Sequence, residues 1–305
     1  MGRSLGIDPI PPKTCNFSCV YCQLGRTTQF INDRRDFFPR KEIFQEIQER
    51  IHRIGIENID YITFVGDGEP TLCRSLGWLL EQISAEFSRP TAVITNGALL
   101  YEDEVQEELS IADIVLPTLD AGYAETFKKI NRPHPQIQFQ TMIEGMTKFG
   151  RLYSGEIWLE FMAVQGLNDN SKELQQVSNH IARIKPAKVY VNIPIRPPAE
   201  PWVKSPTQTG LHLIREILGN VVEIILPENG KFQLVSNDIT GLKEEIVQII
   251  RRHPMRLEQI QELLQQKGIS NSEYIIKELE RLNLIKHLKY ENTIYFVSGD
   301  VKRGK

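Results

Sequence analysis

The sequence predicts an α/β fold: a parallel sheet flanked by helices, followed by a small, separate C-terminal domain. Three observations lead there. Strand-like and helix-like segments alternate from Ser4 to about Pro227. A polar, turn-rich stretch then interrupts the pattern. Beyond it come three amphipathic helices and a hairpin. Regular β-then-α alternation implies parallel strands joined by covering helices. About six such units are too few for a closed eight-unit barrel, which leaves an open doubly wound sheet or a partial barrel.

The elements follow in order. Ser4–Ile10 reads as a short strand stopped by Pro11-Pro12. Pro39 opens a helix with Ile43, Ile47, Ile51 and Ile54 at helical spacing. Tyr61–Val65 is a buried strand running into Gly66-Asp67-Gly68-Glu69-Pro70, and Leu76, Leu79, Leu80 and Ile83 mark the next helix. Thr91–Thr95 is a strand, Tyr101–Ser110 an acidic helix, and Asp113–Leu119 a strand ending at Asp120. Met142, Ile143, Met146 and Phe149 line a helix; Glu156–Val164 is a strand. Leu174, Val177, Ile181 and Ile184 line another helix, and Lys188–Ile195 is a strand. Leu211–Leu218 and the apolar run Val221–Leu226 complete the series.

The domains expected are 1–227, a linker over 228–240, and 241–305. In the last, Ile246, Ile249 and Ile250 lie on one helix, broken by His253-Pro254. Leu257, Ile260 and Leu264 lie on a second. Gly268 turns the chain, Ser270 is an expected cap, and Ile275, Leu279 and Leu282 mark a third helix. Ile285–Val297 reads as a hairpin turning at Glu291-Asn292. Three helices and a hairpin make the winged-helix plan.

Composition sets limits. With 41% hydrophobic and 25% charged residues, the chain is neither disordered nor fibrous. A net charge of -3 excludes a polycation that coats nucleic acid. No stretch reaches the roughly 18 apolar residues of a membrane span. The first residues hold no apolar signal region, so a cytoplasmic location is expected.

Four cysteines occur, and Cys15, Cys19 and Cys22 crowd into CNFSCVYC. In a reducing compartment such crowding points to a metal or redox site. Three thiolates fall short of the four protein ligands of a structural zinc site. They suffice for three irons of a four-iron, four-sulfur cluster, leaving one iron open. A zinc site completed by a distant His, or thiols that only pack, are the alternatives.

The spacing Cys-x3-Cys-x-aromatic-Cys resembles the signature of the radical S-adenosylmethionine superfamily. The resemblance implies a partial (β/α)6 barrel with its cluster loop after the first strand. It implies a [4Fe–4S] cluster on Cys15, Cys19 and Cys22. The open iron would be chelated by the methionine end of S-adenosylmethionine, whose reductive cleavage gives a 5′-deoxyadenosyl radical. Tyr21 would pack against the cofactor. Gly68-Glu69-Pro70 resembles the family's GGEP motif, with Asp67 in place of its first glycine. There Glu69 and neighbouring carbonyls would receive the cofactor's ammonium, although GEP by itself is also an ordinary turn. Strand ends should line the same cavity. Candidates are Thr95 and Asn96 for the ribose or carboxylate, then Asp120, Glu160, Asn168 and Asn192. Each is also a plausible turn or cap residue.

SLGIDPIPPKTCNFSCVYCQLG, VGDGEPTL, INRPHP, WLEFMAVQGLND and VYVNIPIRPPAEPW together resemble one subgroup: Fe–S oxidoreductases related to the wybutosine-synthesis enzyme of tRNA. That enzyme carries a second cluster. Here only Cys73 remains, and one thiolate cannot hold one, so the tRNA-guanine chemistry does not transfer. Cys73 follows GEPTL near a helix start, where a thiol is either acidified or simply packed. Arg132, His134 and Arg196 are substrate-side candidates for an anionic group, or solvated loop residues beside Pro133, Pro135 and Pro197. No lysine stands out for a Schiff base.

Residues 241–305 carry twelve basic and nine acidic side chains. Ser270–Leu282, the expected recognition helix, holds Glu273, Glu278 and Glu280 beside Lys277 and Arg281. That mixture suits protein contact as well as nucleic acid. The expectation is an enzyme cleaving S-adenosylmethionine to abstract hydrogen from an unidentified substrate, with a flavodoxin- or ferredoxin-type electron donor. Its alternatives are a tRNA- or nucleotide-modifying relative and a winged-helix regulator sensing iron or redox state.

Overall fold

The computed structural model describes residues 2–219, 222–224, 232, 234–269 and 271–304. Two compact units emerge from its contacts. The first comprises Met1–Cys19, Thr27–Ile193 and Lys204–Ile225; the second comprises Val20–Arg26, Pro194–Val203 and Leu226–Lys305.

In the first unit, β1 (Ser4–Ile7) ends where Asp8-Pro9 breaks the ladder. Two short strands, β2 (Thr14–Cys15) and β3 (Gln29–Phe30), pair in parallel within the cysteine loop. Sequence periodicity is blind to segments of two residues. Then come α1 (Arg40–Ile54), β4 (Tyr61–Phe64), a single 3₁₀ turn at Pro70–Leu72 and α2 (Leu76–Glu86). Next are β5 (Thr91–Thr95), α3 (Asp103–Leu109), β6 (Ile114–Pro117) and α4 (Ala124–Ile130). At seven residues, with two lysines in its last turn, α4 shows too little apolar periodicity to be read in advance. The series closes with α5 (Phe139–Leu152), β7 (Glu156–Met162), α6 (Ser171–Ile184), β8 (Lys188–Asn192), α7 (Gln208–Leu218) and β9 (Val222–Ile224). The rest of the run expected to end at Leu226 lies outside the described residues.

The sheet order β1-β4-β5-β6-β7-β8-β9 settles the choice left open by alternation. Every pairing is parallel, and each new strand joins the same edge. A doubly wound sheet reverses direction at a switch point; this one never does. With right-handed crossovers, an order that never reverses puts all helices on one face and curls the sheet toward a barrel. The outer face carries the main core. Ile62, Phe64, Val93, Leu159, Phe161, Val189 and Val191 pack there against Leu79, Leu80, Ile143, Phe149 and Val177 from the helices. The opposite parity of the strands lines the concave face. Ala92, Ile114, Leu116 and Trp158 form a separate apolar cluster there, beside Tyr61 and Tyr190. Glu160 and Asn192 share that parity, so alternation along β7 and β8 aims both into the concavity.

The second unit holds α8 (Ile239–Arg252), β10 (Met255–Arg256), α9 (Leu257–Gln266), α10 (Ser272–Arg281), β11 (Ile285–Tyr290) and β12 (Thr293–Ser298). Its three strands form an antiparallel sheet in the order β10-β12-β11. Leu242, Ile246, Ile250, Ile260, Leu264, Ile275, Leu279 and Phe296 form a core of its own. Asp238 caps α8 by accepting from the Gly241 amide. Ser270, the expected cap of α10, lies outside the described residues; Asn271 accepts from the Tyr274 amide at 3.3 Å.

Leu159 is fully buried in β7, an interior strand of the sheet. Leu159→Ala is expected to lower the stability of the first unit by about 2–5 kcal/mol, through lost transfer energy and the cavity left behind. Denaturant titration of both proteins measures it.

Candidate active site

The cysteine loop leaves β1 and is held by backbone pairing on two sides. On one side lies the Gly68-Glu69-Pro70 turn. The Lys13 amide donates to the Asp67 carbonyl at 2.8 Å, and the Glu69 amide donates to the Thr14 carbonyl at 3.0 Å. A Cβ built on Gly68 would lie 1.7 Å from the Thr14 oxygen, so only glycine fits. Asp8 supports this contact by accepting from the Asp67 amide at 2.9 Å. On the other side lies the Asn131–Pro135 loop after α4. The Ser18 amide donates to the Asn131 carbonyl at 3.0 Å, and the His134 amide donates to the Asn16 carbonyl at 2.7 Å.

Three polar groupings follow, all in the first unit. In the first, Glu69 is almost wholly buried. Its Oε1 accepts from the Thr71 hydroxyl (2.6 Å), the Thr71 amide (3.1 Å) and the Thr95 hydroxyl (2.6 Å). Its Oε2 accepts from the Asn96 amide at 2.7 Å. Burial pushes this carboxyl above its usual range, and the four donors pull it back toward the anion. The Asn96 side chain carries the connection onward, donating to Asn16 Oδ1 at 2.7 Å and to Cys15 Sγ at 3.6 Å.

In the second grouping, Asp120 at the end of β6 accepts from the Met162 amide (2.8 Å) and from Asn131 Nδ2 (2.6 Å). Asn131 Nδ2 also donates to Cys19 Sγ at 3.6 Å. The third grouping is Glu160 with Asn192, whose Nδ2 donates to Glu160 Oε1 at 3.1 Å. Burial pushes Glu160 up to about 7; the Asn192 bond opposes the rise and the Asp120 charge adds to it.

Several expected residues serve the scaffold. Thr95 gives its hydroxyl proton to Glu69 and accepts from the Gly97 amide at 3.1 Å. Asn168 is fully buried, with its amide donating to the Asp120 and Met162 carbonyls and its oxygen accepting from Val164. Arg132 has φ of 45°, an uncommon left-handed conformation for a side-chain-bearing residue. The His134 ring packs on Phe30 with centroids 5.2 Å apart. Tyr21, Cys22 and Arg196 belong to the second unit, where Arg196 donates to Gln23 Oε1 at 3.1 Å. Cys73 is buried and its thiol is pushed up to about 11, chiefly by that burial. It is a packed thiol, and the acidification conceivable from its place near a helix start does not occur. Sequence reading missed Asn16, Asn131 and Asp8. The signal for Asn131 was its place in INRPHP, where the charged neighbours drew the attention.

None of the four cysteines forms a disulfide, and Cys15, Cys19 and Cys22 are half-buried. The donors at two of these sulfurs, with the Phe17 amide at 3.3 Å from Cys15 Sγ, suit thiolates that ligate an iron–sulfur cluster. Among the described residues no three His, Cys, Asp or Glu side chains converge on one metal ion. Within the first unit, the donors at Cys15 and Cys19 fit ligation of a soft metal centre by these two sulfurs.

Residues 10–176 match the family model described as the radical SAM superfamily, and the chain belongs to that superfamily. It is a radical S-adenosylmethionine enzyme. A UPF0026 protein of Methanocaldococcus jannaschii is 35% identical over 312 residues, covering 100% of this chain and 95% of that one. An S-adenosylmethionine-dependent nucleotide dehydratase of Flammeovirga pacifica is 28% identical over 165 residues, 51% of this chain and 54% of its own. Among solved structures, a radical SAM methyltransferase from Sphaerobacter thermophilus aligns with a TM-score of 0.54 and 14% identity over 73% of this chain and 65% of its own; that likeness concerns the fold. No helix among the described residues is long and apolar enough to cross a membrane.

Two outcomes are expected here. Gly68→Ala sets a methyl against an immobile carbonyl and should cost about 1–3 kcal/mol; comparing its unfolding midpoint and bound iron with wild type checks this. Glu160 favours folding while protonated. Its contribution is complete below the ordinary carboxyl range and is lost as pH rises through about 7, at roughly 1.4 kcal/mol per pH unit within that window. Unfolding curves at pH 5 and pH 8 should show Glu160→Gln gaining on wild type at the higher pH.

Proposed function

We propose that Cys15, Cys19 and Cys22 hold a single [4Fe–4S] cluster, and that the enzyme cleaves S-adenosylmethionine reductively to abstract hydrogen from an organic substrate. One observation carries this reading: a three-cysteine loop after the first strand of a parallel sheet, with side-chain amides from the ends of β5 and α4 aimed at two of its sulfurs. Held by Cys15, Cys19 and Cys22, such a cluster would supply the single electron that reductive cleavage of the sulfonium requires.

The chain's own residues prepare that step. Asn96 and Asn131 donate to Cys15 and Cys19, and such donors stabilise thiolates and set the potential of a bound centre. Glu69 fixes the GEP turn against the cysteine loop. Among the described residues its Oε2 accepts one donor, the Asn96 amide, and a carboxylate oxygen has capacity for a second, such as a cofactor ammonium. Gly68 and Pro70 shape the same turn. Asp120, Glu160 and Asn192 edge the concave face, where Glu160 can hold or release a proton near neutral pH. Tyr21 is assigned to the cofactor. Arg132, His134 and Arg196 are assigned to substrate. The electron comes from a flavodoxin- or ferredoxin-type protein, and the setting is the reducing cytoplasm.

We also propose that residues 241–305 form a winged-helix domain after a 228–240 linker. The order helix, strand, helix, helix, hairpin supports this. A second reading, a nucleotide or tRNA substrate, is favoured by the nucleotide dehydratase relative.

Anaerobic reconstitution with iron and sulfide, then dithionite and S-adenosylmethionine, tests the proposal. Wild type should release 5′-deoxyadenosine and methionine. Cys15→Ala, Cys19→Ala and Cys22→Ala should each abolish both. Cluster-loaded wild type that makes no deoxyadenosine would overturn the assignment. Co-purifying RNA would support the second reading.

A further inference from the structure

Resting on the reading that Cys22 is a cluster ligand, we infer that Arg303, within the segment Val301–Gly304, is the positioning residue for the part of the cysteine loop that carries Cys22. The contacts all lie within the second unit. The Arg303 guanidinium donates through Nη1 to the Pro197 and Pro198 carbonyls at 2.5 and 2.6 Å, and through Nη2 to the Gln23 carbonyl at 2.7 Å. One planar fork, 280 positions along the chain from Gln23, thus ties the residue after Cys22 to the RPPAEPW loop.

Further contacts keep the three segments in register. The Arg26 amide donates to the Lys302 carbonyl at 2.8 Å, and the Gly304 amide donates to the Ala199 carbonyl at 2.7 Å. Arg26 pairs with Glu200 through two bonds of 2.8 and 3.0 Å, while the Glu200 amide donates to the Val20 carbonyl at 3.0 Å. Gly25 has φ of 80°, and a Cβ there would lie 2.4 Å from the Lys302 oxygen. The segment from Val20 to Arg26 is therefore bound at both ends and at its middle.

Three bonds from one cationic group converge on backbone carbonyls of two separate segments. Carbonyls bonded to a half-buried cation are costly to separate, because each would lose a charge-assisted bond. Arg303 thereby sets the place of the last ligand without touching substrate.

The test uses the full chain, reconstituted anaerobically as wild type, Arg303→Met and Arg303→Lys. The readouts are iron per chain, the rate of iron loss to bathophenanthroline, and the melting temperature. Arg303→Met should lose iron about tenfold faster than wild type, in the range for residues supporting metal ligands. Arg303→Lys, keeping the charge but not the fork, should fall between them. If Arg303→Met does not fold, Arg303→Lys decides: an iron-loss rate equal to wild type overturns the proposal. So does wild-type iron retention in a folded Arg303→Met. A wild type that binds no iron would instead defeat the cluster reading itself.

Discussion

The site is organised by one buried carboxylate. Glu69 lies at the end of β4 with its charge removed from water, a cost that four converging donors must offset. Hydrogen bonds to a charged group contribute about 1.5–3 kcal/mol each. Removing any one donor leaves the rest of the carboxylate buried, so the arrangement holds as a unit. The donors come from the 3₁₀ turn on one side and from Thr95 and Asn96 on the other. The ends of two neighbouring strands are thus fixed to each other. The Glu69 amide and the Asn96 side chain then extend the connection to the cysteine loop.

Asp120 repeats the device one strand further along. It joins the end of β6 to β7 through the Met162 amide and to the loop after α4 through Asn131. Asn131 ends at Cys19 as Asn96 ends at Cys15. Two buried carboxyl groups at strand ends thereby deliver two amide donors to two sulfurs. Backbone and side-chain bonds of this density leave the loop little freedom to lose when it takes up a ligand, which is the physical meaning of preorganisation.

Much of this was legible in the sequence, and the reasons differ from residue to residue. The strands at Tyr61, Thr91 and Glu156 announced themselves by apolar runs bounded by glycine, asparagine and proline. The cysteine spacing is local, so the motif could be read without any fold. The order of strands is not local. Alternation permits both a barrel and a doubly wound sheet, and only the pairing of β1 with β4, then β5 and β6 in turn, separates them. Thr95 and Glu69 show a different limit. A strand-end carboxylate and hydroxyl suit a ligand and suit each other, and sequence does not say which they meet. Asn131 was overshadowed by the charge beside it. Arg303 carried no signal in the sequence, because its partners at Pro197 and Gln23 are distant in the chain and offer only carbonyls.

Residue-resolved hydrogen exchange on protein purified without iron tests most directly whether the strand ends hold the cysteine loop by themselves. The amides of Ser18, Glu69, Thr71 and Asn96 should exchange as slowly as those in the middle of β5, and Glu69→Gln should release Thr71 and Asn96 together. Rapid exchange of these four amides in the wild type, with β5 still protected, would contradict the account.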